Sequence, residues 1–296
     1  MTAISSETIP TLNGLSELAE SYDGFIVDLW GVLHDGVAAF PEALDGLGRL
    51  RALGKRIVIL SNAPRRAQAV ADRNAEMGIG PEHFDAIVTS GEMTWRHLKE
   101  RRDPWYRALG RRCRTIGPTR DHGLRDGLDY DFVETVADAD FILLTGALTV
   151  DDRPEEYRPL LDQALVRRLP LVCANPDLVV IRGGRREICA GAIAALYCEL
   201  GGEVRAHGKP SREIYERCFA LLGIAARQRI AAVGDSLATD IAGAQAAGID
   251  GLFVLSGIHD QELALDERGR ASPDRLAALC SRYAARPRAV LPHFRW

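Results

Sequence analysis

The 296-residue sequence lacks several features that would decide its class at once. No apolar run approaches the ~18 residues needed to cross a bilayer, so neither a membrane-spanning helix nor a membrane partner is expected. The opening, Met1-Thr2-Ala3-Ile4-Ser5-Ser6-Glu7, has no charged stretch followed by an apolar one and does not read as a signal peptide. The six cysteines (Cys113, Cys173, Cys189, Cys198, Cys218 and Cys280) form no CxxC pair, and several fall in apolar runs. Buried thiols in a reducing compartment, the cytoplasm, are the expectation. The seven histidines form neither HExxH nor HxH, which argues against a zinc site. No long basic block occurs, and 37 Lys+Arg against 41 Asp+Glu leave a net charge of −4, so nucleic acid is not expected as the main partner. Internal repeats and low-complexity tracts are also missing.

What is present is ordinary globular material. Hydrophobic residues make up 47% and charged residues 26%, which excludes a disordered chain, and the length suits one large domain or two modest ones. Short apolar runs alternate with amphipathic ones. Gly24–Asp28, Arg56–Leu60 and Ala86–Ser90 read as buried strands, with helices over Pro41–Leu53, from Pro64 to about Met77, and from about Glu92. The rhythm returns late, with a helix over Ser211–Leu222, a strand over Ile230–Gly234, a helix from about Thr239 to Ala247 and a strand over Gly251–Leu255. Continuous apolar strands joined by helices predict an α/β fold with a doubly wound parallel sheet.

The stretch between is richer in Arg and Asp, with strands at Phe141–Leu144 and Leu171–Ala174 and helices at Glu155–Arg168 and Ala192–Leu200. It reads as an inserted α/β domain. The expected division is a first core part over 1–102, an insert over 103–203 and a second core part over 204–296. The aromatic tail, Pro292-His293-Phe294-Arg295-Trp296, is expected to dock on the body. The sequence leaves a homo-oligomer open.

Open parallel sheets bind ligands beyond the carboxyl ends of their strands. Three such ends carry polar residues. The first strand delivers Asp28, in Asp28-Leu29-Trp30-Gly31-Val32-Leu33-His34-Asp35-Gly36. The second is followed by Ser61-Asn62-Ala63-Pro64, whose hydroxyl, side-chain amide and helix-opening amides suit an anion. A late strand ends in Gly234-Asp235-Ser236-Leu237-Ala238-Thr239-Asp240, with two carboxylates, and Gly208-Lys209-Pro210 offers a cation before a helix. Taken singly, each has a plainer reading as helix cap, turn residue or solvated charge. The ordered set carries the argument. Carboxylates with a main-chain carbonyl and waters suit Mg²⁺, a hydroxyl-rich turn and a lysine suit phosphate, and a carboxylate beside them is a nucleophile for phosphorus.

In this order the segments resemble the four motifs of the haloacid dehalogenase superfamily of phosphohydrolases, most closely class IIA, the nucleotide, sugar and pyridoxal-phosphate phosphatases. Asp28 to Gly36 resembles motif I, Ser61-Asn62 motif II, Lys209 in Gly-Lys-Pro-Ser motif III, and Gly234-Asp235 through Thr239-Asp240-Ile241 motif IV. Ala174-Asn175-Pro176-Asp177 is similar to the Asn-Pro-Asp loop of the class IIA cap. The resemblance covers roughly residues 20–260 and implies a Mg²⁺-dependent phosphatase acting on a small phosphorylated metabolite. It makes Asp28 the nucleophile and a metal ligand, with the Trp30 carbonyl and Asp235 as further ligands and Asp240 on a metal-bound water or the motif IV loop. Ser61 and the Asn62 amide would hold phosphate oxygens, Lys209 would bridge Asp28 and phosphate, and the insert, with Asn175 and Asp177, would be a cap that selects the leaving group.

Two positions depart from the family pattern. The second acid, two residues after the nucleophile, is Trp30 here, and the second Asn of motif II is Ala63. An indole N–H is too weak an acid to protonate a leaving oxygen, and loss of a general acid typically slows turnover about 10²–10⁴-fold. Either His34 or Asp35 substitutes, or the leaving group needs no proton, as with acyl phosphates or phosphonate-type carbon, or turnover has been lost and phosphate-ligand binding kept. Cleavage of a carbon–phosphorus or carbon–halogen bond is a further alternative, the halide version disfavoured by Asp235 and Asp240. Trp30 either packs to close the pocket or stacks on a planar leaving group. The stretch Arg182-Gly183-Gly184-Arg185-Arg186 reads as a solvated turn or an anion contact.

Overall fold

The structure is a computed structural model describing residues 9–296, so the opening Met1–Glu7 lies outside the described residues. The strands are, in chain order, β1 (Gly24–Val27), β2 (Arg56–Ser61), β3 (Ala86–Thr89), β4 (Arg112–Ile116), β5 (Asp131–Val133), β6 (Phe141–Leu144), β7 (Leu171–Cys173), β8 (Val179–Arg182), β9 (Arg185–Ile188), β10 (Val204–Ala206), β11 (Ile230–Gly234), β12 (Asp250–Val254) and β13 (Ala289–Leu291). The helices are α1 (Pro41–Ala52), α2 (Ala67–Glu76), α3 (Ser90–Glu100), α4 (Pro104–Ala108), α5 (Arg158–Val166), α6 (Ala190–Glu199), α7 (Arg212–Leu222), α8 (Ala242–Ala247), α9 (Asp260–Leu263) and α10 (Pro273–Tyr283). Two compact units result. Of the described residues, one unit holds 9–59, Met77–Ala86 and Tyr215–Trp296, and the other holds Leu60–Glu76 and Ile87–Ile214.

The larger sheet has the order β13-β12-β11-β1-β2-β3. β1 pairs in parallel with both β2 and β11, β11 with β12, and β12 with β13. Every residue of β1, β11 and β13 is buried, as their unbroken apolar runs require of strands covered on both faces. From β1 the chain proceeds outward through β2 and β3, and later returns on the other flank as β11, β12 and β13. The topological switch point therefore lies between β1 and β11, where a parallel sheet leaves a crevice at its carboxyl edge. The aromatic tail packs onto this unit: Phe294 is buried, and the Leu15 N–H donates to the Arg295 carbonyl at 2.8 Å.

The second unit is built on a parallel sheet of order β10-β7-β6-β4-β5. One face buries Leu161 and Ala164 of α5 with Ile193 and Tyr197 of α6, and the other buries Leu98 of α3 and Tyr106 of α4. The architecture is thus mixed α/β with two parallel sheets. Among the described residues no helix is long and apolar enough to cross a membrane.

Several local expectations are corrected. The helix expected to open at Pro64 opens at Ala67, because Glu92 accepts from the Ala67 N–H at 3.3 Å and the Arg66 guanidinium at 2.7 Å, fixing the start. The following helix begins at Ser90, earlier than expected, with the Thr89 hydroxyl accepting from the Glu92 N–H. Arg182–Arg186, by contrast, agrees with the solvated-turn reading: residues 183–186 are exposed and close a hairpin, β8 against β9 antiparallel, whose Gly183-Gly184 turn has φ of 53° and 78°, the geometry two-residue hairpins favour. Five cysteines are buried, but Cys198 is exposed.

Candidate active site

The switch point is acidic. Asp28 directly follows β1 and Asp235 directly follows β11, and the Asp28 N–H donates to the Val233 carbonyl at 2.9 Å, which keeps the two strand tips level. After Ser236 the chain enters a π-turn, Leu237–Ile241, that carries Asp240 inward and runs on into α8. Such turns often mark functional positions. Ser236 anchors this turn: its hydroxyl accepts from the Thr239 N–H and its N–H donates to Asp240 Oδ2 at 3.1 Å. Asp235 Oδ2 accepts from the Ile258 N–H at 2.9 Å, and Tyr215 donates to the Asp240 carbonyl at 3.1 Å. Asp28, Asp235 and Asp240 are all buried, and each has a carboxylate oxygen within 4.8 Å of the others. Three convergent carboxylates offer an all-oxygen donor set, which fits a hard divalent cation such as Mg²⁺.

The loop after Asp28 folds back on itself. The Gly31 N–H donates to the His34 carbonyl at 3.0 Å, and the Trp30 and His34 rings meet edge to face with centroids 5.0 Å apart. Gly36, at φ 86°, passes so close to the indole that a Cβ there would lie 2.1 Å from it. The Gly36 N–H donates to His34 Nδ1 at 3.0 Å, which assigns the proton of the neutral ring to Nε2. Asp35 accepts from the Val37 and Ala38 N–H groups at 2.8 and 2.9 Å, and these bonds hold its carboxyl below the usual range. Trp30 thus packs within its own loop, and Asp35 serves as a turn residue.

In the second unit, Ser61 ends β2 and is buried, and its hydroxyl accepts from the Ala63 N–H at 3.2 Å. The Asn62 side chain is committed inward. Its Oδ1 accepts from the Lys209 N–H at 2.8 Å, while Nδ2 donates to the Lys209 carbonyl at 3.2 Å and to Asp177 Oδ1 at 2.8 Å. Asn175 caps the turn by accepting from the Asp177 N–H at 3.0 Å. Ser61, Asn62, Asn175, Asp177 and Lys209 therefore belong to one bonded neighbourhood, in which any contact between Asn62 and an anion would run through its main chain.

Sequence profiles of two related families match this chain: the haloacid dehalogenase-like hydrolases over residues 25–129, and the HAD-hydrolase-like family over 206–295. A crystal structure of a haloacid dehalogenase-like hydrolase from Brucella suis is 34% identical, superposes with a TM-score of 0.81, and matches over 96% of this chain and 99% of its own. The chain belongs to the haloacid dehalogenase-like hydrolases.

Within that family it groups with the class IIA phosphatases. The 4-nitrophenylphosphatase of Schizosaccharomyces pombe is 26% identical over 87% of this chain and 92% of its own. A glycerol phosphate phosphatase from Mycobacterium tuberculosis, crystallised with magnesium, is 25% identical with a TM-score of 0.62, over 86% of this chain and 75% of its own. This haloacid dehalogenase-like chain is accordingly a hydrolase of the phosphatase group, with relatives that bind a divalent metal.

Sequence reading of this hydrolase missed two clusters. Asp121, nearly fully buried beyond the carboxyl end of β4, pairs with Arg65 at 2.9 Å, and burial raises its carboxyl above the usual range. Recognition of β4 as a strand would have flagged it by the same strand-end rule that found Asp28. The other cluster joins His97, His207 and Glu213, which no short motif connects.

Proposed function

We propose that this haloacid dehalogenase-like hydrolase cleaves small phosphate monoesters with Asp28 as the nucleophile, and that 103–203 acts as the cap choosing the leaving group. The observation that carries the reading is the convergence of Asp28, Asp235 and Asp240 at the switch point of the parallel sheet. These carboxylates, with the Trp30 carbonyl, would hold Mg²⁺, which would neutralise charge on the phosphoryl group. An Asp28 carboxylate oxygen bonds to phosphorus as the ester P–O bond breaks, giving an aspartyl phosphate and releasing the alcohol oxygen with its electron pair. Water then attacks phosphorus, and the departing carboxylate regenerates Asp28 and inorganic phosphate. Ser61, the Asn62 main chain and Lys209 stabilise the phosphoryl oxygens, and Asn62 holds Lys209 in position through its backbone.

Protonation of the leaving oxygen sets the substrate preference. Trp30 cannot supply it. His34 cannot do so as a doubly protonated ring without turning an Nδ1–H against the Gly36 N–H. The enzyme therefore favours leaving groups that depart as stable anions, such as acyl or aryl oxygens. The five buried thiols suit a reducing compartment, the cytoplasm.

Phosphate release from a panel of monoesters, with and without Mg²⁺, tests the reading. Mg²⁺-dependent release that disappears in Asp28→Asn is expected. Unchanged turnover in that variant would reject Asp28 as the nucleophile.

A further inference from the structure

The cluster missed in the sequence sits within the second unit. His97 lies in the last turn of α3, His207 directly follows β10, and Glu213 lies in the first turn of α7. Glu213 spans both rings, with Oε1 2.7 Å from His97 Nε2 and Oε2 3.3 Å from His207 Nδ1. The two imidazoles stack with centroids 4.0 Å apart and planes 15° from parallel, so one ring must turn about its Cβ–Cγ bond for both to bind a single ion. His207 is buried, His97 half-buried and Glu213 exposed, so the cluster opens to solvent on the Glu213 side.

We infer that His97 Nε2, His207 Nδ1 and Glu213 form a binding site for a borderline divalent transition metal, Zn²⁺ or Co²⁺, distinct in donor chemistry from the all-carboxylate site. Two imidazole nitrogens and one carboxylate form a three-ligand set that leaves a coordination position for water. The ligand atoms lie within 4.8 Å of one another, and Mg²⁺, which prefers oxygen, would not compete well for them.

Two further observations support the site. His207 Nε2, the nitrogen turned away from Glu213, lies 2.5 Å from the Tyr106 hydroxyl. A metal-binding histidine usually donates its second N–H to such an oxygen, which fixes ring and tautomer. The Ser90 hydroxyl donates to the His207 carbonyl, tying the ligand's backbone to the start of α3.

The position gives the site a consequence. His207 and Glu213 bracket the segment Gly208-Lys209-Pro210-Ser211-Arg212. An ion held by both would clamp the ends of the loop that presents Lys209.

Titration of chelator-treated full-length protein with Co²⁺ tests the inference, read by its d–d absorption. A tetrahedral-type spectrum is expected in the wild type and in Asp235→Asn. In His97→Ala and in Glu213→Gln affinity should fall by roughly 100-fold, and in Tyr106→Phe by about 10-fold, as for a lost outer-shell partner. Zn²⁺ should raise the Tm of Asp235→Asn but not of Asp235→Asn combined with His97→Ala, a readout that needs no activity. Equal Co²⁺ affinity and equal Zn²⁺-induced Tm shifts with and without His97 would overturn the site.

Discussion

The Asn62 side chain grips the backbone of Lys209 from both sides, accepting its N–H at 2.8 Å and donating to its carbonyl at 3.2 Å. The same Nδ2 reaches Asp177. One buried amide therefore sets the main chain of a residue far away in sequence. Asn62→Asp keeps the acceptor and loses the donor, leaves the Lys209 carbonyl without that bond, and sets a second carboxylate against Asp177. The expected destabilisation is about 1–3 kcal/mol by urea denaturation. If Lys209 serves the phosphoryl group, kcat should fall as well, and Asn62→Ala should be milder than Asn62→Asp because it adds no charge.

Gly208, just before Lys209, is equally constrained. It sits at φ 135°, and a Cβ there would lie 2.4 Å from Asn62 Oδ1 and 2.9 Å from the Pro176 ring. Gly208→Ala therefore carries both backbone strain and a collision with the amide that holds Lys209. Loss of kcat with the Tm lowered by several degrees is the expected outcome. A Tm and kcat both unchanged would show that the loop yields freely.

The strand-end logic was readable because Phe25-Ile26-Val27 and Ile230-Ala231-Ala232-Val233 are unbroken apolar runs, and a strand buried on both faces points unambiguously to the polar residue at its tip. The second sheet was harder to see. In β4 Arg112 and Arg114 alternate with buried Cys113, and β5 and β10 have three residues each, too few to show a period. The role of Asn62 was illegible for a different reason: its partners, Lys209 and Asp177, come from distant segments. His97, His207 and Glu213 were hidden likewise, since a metal motif is recognised by local spacing and this one is assembled by tertiary structure.

Alkaline pH should unfold the protein through its thiols. Burial pushes Cys113 and Cys173 up to about 12 and Cys280 up to about 11, from an ordinary value of 9.0. A raised acid in the folded state holds its proton after the unfolded chain has released it. Stability is therefore fully present below pH 9 and falls as pH rises towards the folded values. Urea midpoints at pH 8 and pH 10 should differ, with the lower at pH 10, and Cys173→Ala should show a smaller difference between the two. An identical pH response in that variant would exclude its thiol as a contributor.

Leaving-group dependence separates the roles of Trp30. If the missing proton donor limits turnover, Trp30→Asp should raise kcat for alkyl phosphates, by as much as about 10²-fold, and leave aryl phosphates nearly unchanged. A Brønsted plot against leaving-group acidity should be steep in the wild type and flatter in the variant. A uniform fall across all substrates would instead mean that the indole matters for packing alone.

That packing is testable by itself. The Trp30 ring lies against Gly36, where a Cβ would come within 2.1 Å of the indole, and φ at Gly36 is 86°. Gly36→Ala in the wild type thus bears two penalties, a ring collision and a left-handed backbone that L residues rarely adopt. In a Trp30→Ala background only the second remains. The two changes should therefore be non-additive, with a coupling of about 0.5–3 kcal/mol in urea denaturation, Gly36→Ala being the less harmful when the ring is absent. Strict additivity would mean that the loop moves the indole aside without resistance, and the indole would then be free to stack on a substrate rather than being held by its own chain.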